Sequence, residues 1–115
     1  MRAQLREISS DEVDVRDYSA NLPDAFCITL RLRIGVEDAI GADNFEVCVC
    51  NFKWLESHAH TPFSGAGFLI VRDYDFEEIE LTVLELISKC GGTDWNSIGN
   101  KLSRYFLWEF VEYKP

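Results

Sequence analysis

The chain has 115 residues, with 20 acidic against 11 basic side chains for a net charge of −9, and is 47% apolar and 13% aromatic. That is enough chain and enough apolar surface for one packed domain, 1–115, and it is not the composition of a disordered segment. Phosphate recognition needs clustered Lys and Arg, so nucleic acid and anionic membrane surfaces are disfavoured as partners, and a basic protein surface is favoured.

The opening MRAQLREISSDEV lacks the apolar run of a secretory signal, and the longest apolar runs, such as FLIV (68–71), are far too short to cross a bilayer. A cytoplasmic location is expected, with the four cysteines kept as thiols. With no internal repeat, low-complexity tract or linker, the chain reads as one continuous domain.

In chain order, AQLREI (3–8) reads as a short strand and 9–24 as a polar loop with room for another. FCITLRLRIGVE (26–37) alternates: Ile28, Leu30, Leu32, Ile34 and Val36 point one way, Thr29, Arg31 and Arg33 the other. That period of two marks a half-buried strand of an antiparallel sheet. EDAIGAD (37–43) turns the chain and NFEVCVC (44–50) returns it, which makes a hairpin. FKWLESH (52–58) has room for a short helical turn, 60–67 is loop, and GFLIVRDY (67–74) is a further strand.

The clearest helix is DFEEIELTVLELISKCGG (75–92), with Phe76, Ile79, Val83, Leu86, Ile87 and Cys90 at helical spacing. Asp75 is placed to cap its start, and Gly91 and Gly92 to end it. Asp94 caps a second helix, 95–105, in which Trp95, Ile98 and Leu102 share a side. Gly99 weakens that helix by about 1 kcal/mol relative to Ala. SRYFLWEFVEY (103–113) then alternates as a closing strand, with Phe106, Trp108 and Phe110 on the core side. The pattern predicts an α+β sandwich, an antiparallel sheet of about five strands with two helices packed on one face.

Each candidate for chemistry has a plainer competitor. Cys48-x-Cys50, with Cys27, Cys90, His58 and His60, offers zinc-ligand types, but structural zinc favours pairs two to four residues apart on turns, and buried cysteine is a good small hydrophobe. No metal or cofactor is expected. A cysteine nucleophile would need Cys27 or Cys90 beside His58 or His60, and Cys90 sits at a helix carboxyl end, where the dipole opposes a thiolate. DYDFEE (73–78) lacks the sharp-turn glycine and twelfth-place Glu of a calcium loop. Glu77, Glu78, Glu80 and Glu85 suit the first turns of a helix better than the paired carboxylates of a glycosidase, and GAG (65–67) precedes a strand where a phosphate loop would follow one. What remains is an acidic surface. Glu37, Asp38 and Asp43 gather at the hairpin turn, and Asp11, Glu12, Asp14 and Asp17 lie in the amino-terminal loop, a surface that a basic partner would fit.

Three segments taken together, FEVCVCNFKWLE (45–56), GFLIVRDYDFEEIE (67–80) and DWNSIGNKLSRYFLWEFVEY (94–113), resemble the immunity protein 8 family of bacterial polymorphic toxin systems. The matching positions are Cys50, Lys53, Trp54 and Leu55, then Leu69, Ile70, Val71, Tyr74, Ile79 and Glu80, and finally Trp95, Lys101, Leu102, Trp108, Glu109, Phe110 and Tyr113. Asp73 departs from the pattern, and the amino-terminal third is unmatched. The resemblance implies a small α+β protein without catalytic activity that binds and neutralises a cognate toxin domain. It also implies that Trp54, Trp95, Trp108 and Phe110 are structural core. Joined to the charge, it points to Glu37, Asp38 and Asp43 as the contact and to a basic toxin such as a nuclease. Competing readings are a small Cys/His-dependent enzyme or ligand-binding domain, and a structural subunit of a larger assembly.

Overall fold

The computed structural model describes residues 1–19 and 24–110. Its elements are β1 (Ala3–Ser9), β2 (Cys27–Val36), β3 (Asp43–Asn51), α1 (Phe52–His58), β4 (Phe68–Val71), α2 (Phe76–Ser88), α3 (Trp95–Leu102) and β5 (Leu107–Trp108). The fold is α+β, as its patterning predicts, with a third, short helix beyond the two expected. Among the described residues no helix is long and apolar enough to cross a membrane.

The β2–β3 hairpin organises everything else. Its register sets Leu30 opposite Val47 and Leu32 opposite Phe45, so the even residues of β2 and the odd residues of β3 share one face. Ile28, Leu30, Leu32, Ile34, Phe45, Val47 and Val49 are all buried there, beneath Ile79, Val83 and Ile87 of α2 and Ile98 and Leu102 of α3. β1 pairs antiparallel with β2, and its register shifts between Leu5 and Glu7. That bulge releases Arg6 from the ladder.

The sheet is mixed rather than antiparallel throughout. β4 runs parallel to β3, pairing Cys48–Asn51 with Phe68–Val71, because α1 and the loop after it carry the chain back to the start of the strand. A parallel pair requires such a crossover. β5 then takes what is left of the same edge of β3, Phe45 facing Trp108 and Glu46 facing Leu107.

The closing strand is shorter than its alternation suggests. Phe106 and Trp108 are buried as expected, but Phe110 is 49% exposed, so its assignment to the core is corrected. The ladder with β3 ends at Trp108, and without a partner strand the alternation stops directing side chains inward. Val111 to Tyr113, also read as strand, lie outside the described residues. Trp54 is corrected too. It stands apart from the main core, stacked on His58 at 4.5 Å and 6.2 Å from Phe68. Trp95 is partly buried and packs against the core.

Both long helices are capped as their sequences predict. Asp75 accepts from the Glu77 and Glu78 amides, and Asp94 from the Ser97 amide at 2.7 Å. α2 ends at Ser88, ahead of the glycines. α1 has a cap with a larger role. Asn51, 5% exposed, accepts from the Phe26 and Trp54 amides and donates to the Asp24 carbonyl, joining the start of β2 to the end of β3.

Of the four cysteines, Cys27 and Cys48 are joined as a disulfide, which corrects the expectation of four thiols. Both residues lie on the sheet face away from the helices, on adjacent strands with Cα atoms 6.3 Å apart, within disulfide reach. Cys50 and Cys90 are free and buried, and burial pushes both thiols up.

The loop after β1 is held by its polar residues. Asp11 pairs with Arg31 at 2.7 Å, Glu12 accepts from the Thr29 amide where β1 runs out, and Asp14 accepts from the Arg16 and Asp17 amides. Val15 and Tyr18 reach the core from this loop, and Tyr74 donates its hydroxyl to the Val15 carbonyl at 2.6 Å. Burial, reinforced by Tyr18 and Asp14, pushes the Tyr74 phenol up to about 12. The fold therefore favours the protonated phenol. That stability is whole below pH 10, where the unfolded phenol is also protonated, and is lost as pH rises through about 12. Urea unfolding across this range should show the native chain losing stability faster than Tyr74→Phe, which should cost about 1 kcal/mol at neutral pH. Parallel alkaline limbs for the two proteins would overturn this assignment.

Candidate partner-binding surface

The β2–β3 turn carries the acidic residues singled out in the sequence, and it is held from several sides. Arg6, released by the β1 bulge, donates through Nη2 to the Val36 and Ala39 carbonyls, both at 2.6 Å. The Glu37 amide donates to the Arg2 carbonyl and the Ala39 amide to that of Val36. Asp38 takes φ +66° and Gly41 φ +98°, a left-handed region that aspartate tolerates and glycine enters freely. The turn folds back so far that a Cβ on Gly35 would overlap the Gly41 carbonyl oxygen.

The three acidic residues divide. Glu37 and Asp38 are exposed and enter no ion pair among the described residues. Asp43 is half-buried, and its Oδ2 accepts from Trp95 Nε1 at 2.6 Å and from Trp108 Nε1 at 3.1 Å. Its carboxylate is thus a structural acceptor that binds α3 and β5 to the hairpin.

Sequence patterning gave no role to Ile40, at the crown of the turn. It is 106% exposed, more than any other large apolar residue described. The available signal was a β-branched apolar residue standing off both strand alternations, inside a turn. Ile40 itself lines a groove of about 220 Å³, together with Val36, Gly41, Ala42, Asp43 and Trp95.

The cysteines and histidines form no comparable centre. Cys90 is in the helix-side core and donates weakly to the Leu86 carbonyl, whereas Cys27, Cys48 and Cys50 belong to the opposite sheet face. His58 Nδ1 lies 3.0 Å from the Trp54 carbonyl and 2.9 Å from Ser57 Oγ. Among the described residues no three His, Cys, Asp or Glu side chains come together to hold a metal ion.

A family model for immunity protein 8 matches residues 3–113, including the amino-terminal third. The chain belongs to the immunity protein 8 family. No curated protein and no solved structure matches it. Family membership implies that the partner is a toxin.

Proposed function

We propose that this chain neutralises a cognate toxin domain by non-catalytic, stoichiometric binding. The match to the immunity protein 8 family over essentially the whole chain carries this reading. A standard interface takes roughly 800 Å² from each partner, about a tenth of the 7458 Å² this domain exposes. The net charge of −9 favours a basic toxin, for which a nuclease is a fitting class. Glu37 and Asp38 are the contact acids offered to it, with Asp43 behind them.

The test is co-expression with any toxin domain that a gene adjacent to the chain's own encodes. Growth should be restored and a one-to-one complex recovered, and continued toxicity with no complex would sink the reading. Reversing Glu37 and Asp38 to lysine should slow association about tenfold at low salt and flatten its salt dependence. Unchanged on-rates would remove the acidic turn from the contact while leaving the toxin reading in place. Asp43 is kept native in that test, since its reversal would disturb the fold.

A further inference from the structure

We infer that Ile40 is the anchor of the toxin contact, seated in an apolar pocket whose rim is lined by Lys and Arg. This rests on the toxin-binding reading above.

A single exposed apolar side chain on a surface needs no explanation. Ile40 differs in how it is held. Turns of this kind favour Gly, Asn, Asp or Ser, and a β-branched side chain contributes nothing to the geometry, which Asp38 and Gly41 supply. Yet the β1 bulge, the two hydrogen bonds from Arg6, the Cβ-free Gly35 and the left-handed Asp38 together fix the segment that displays it. A turn ordered before the partner arrives loses little conformational entropy on binding, which is the condition under which one buried aliphatic contributes most. The groove over Val36, Ala42 and Trp95 extends the apolar surface next to it, so a partner closing on Ile40 also covers part of the Trp95 ring.

The chemistry of the partner follows from the flanks. Glu37 and Asp38 stand on the amino-terminal side of the crown, and the chain as a whole carries −9. An apolar pocket with an acidic rim would repel this turn, whereas a basic rim would steer it in and pair with those two carboxylates. A second copy of the chain is disfavoured on the same ground, since it would bring like charges together.

The experiment takes the toxin domain recovered by that co-expression test, purified and rendered inactive for handling, and measures its binding to the native chain and to Ile40→Ala, Ile40→Asp and Leu81→Asp. Leu81 is an exposed leucine on the outer face of α2 and serves as the control. Because the Ile40 side chain is fully exposed, its variants should unfold at the native midpoint. Ile40→Ala should weaken binding about tenfold and Ile40→Asp about a hundredfold, mainly through faster dissociation, with Leu81→Asp unchanged. Native-like binding by Ile40→Asp, or a loss confined to Leu81→Asp, would overturn the anchor and leave toxin binding standing. A native chain that does not bind would overturn both.

Discussion

Asp43→Ala should destabilise the domain by about 3 kcal/mol, with a fall in the urea midpoint and a red shift of indole emission. The reasoning starts from one oxygen. Asp43 Oδ2 accepts from two indoles, one on the first residue of α3 and one on β5. A hydrogen bond to a charged group contributes roughly 1.5–3 kcal/mol, and removing the acceptor leaves both donors in a partly buried place. Water reaches this half-buried site in part, which sets the expectation at the lower end of the summed range. The loss is large for a domain whose total stability is on the order of 5–15 kcal/mol. Asp43→Asn retains one acceptor oxygen and should cost about half as much. A change below about 1 kcal/mol for alanine would show that the indoles find water as good a partner as the carboxylate.

The same geometry bears on how the acidic turn is tested. Charge alone groups Glu37, Asp38 and Asp43, because sequence records that three carboxylates are near one turn and not which of them is engaged. Reversing all three would mix an association effect with a folding effect. Reversing the first two isolates association, and a chain carrying only Asp43→Asn reports on folding.

The alternation of β2 was legible because both flanking environments are simple: Leu30 and Leu32 face helices, Thr29 and Arg33 face water. The two caps, Asp75 and Asp94, were legible because a cap is a local device. Two other features depend on contacts remote in sequence. The parallel run of β4 is decided by the path of 52–67 across the sheet edge, about which the apolar run FLIV is silent. Phe110 continues the pattern of Phe106 and Trp108, but burial requires a partner strand, and the pairing with β3 goes no further than the Glu109 amide on the Asn44 carbonyl. Trp54 matched the family pattern in the same way as Trp95 and Trp108, yet it packs on His58 and Phe68, away from the main core. A shared tryptophan therefore marks burial somewhere, not membership of one core. Of the candidate surface, the charge was legible and the display of Ile40 was not, since the bracing residue Arg6 lies more than thirty positions from the turn carbonyl it holds.

Gly99 sets local propensity against packing, and packing should win. In isolation, replacing a mid-helix glycine by alanine gains about 1 kcal/mol. Here the added Cβ would overlap the six-membered ring of Trp108. That ring has little room to retreat: Phe45, fully buried, stacks on it at 5.8 Å and 10°, Trp95 meets it edge-on at 6.3 Å, and its Nε1 is tied to Asp43. Overpacking costs about 1–3 kcal/mol, and a rigid ring pinned on several sides belongs at the upper end of that range or beyond. Gly99→Ala should therefore destabilise by roughly 2 kcal/mol net. The decisive comparison is the same substitution in a Trp108→Phe background, where the smaller ring leaves space for the methyl group. There the cost should vanish and the helical gain should emerge, a coupling of about 2–3 kcal/mol between positions that only the fold brings together. An equal loss in both backgrounds would place the conflict elsewhere in α3. A gain in the native chain would mean that Trp108 does not pack over Gly99, and with that contact the docking of β5 against α3 would fall.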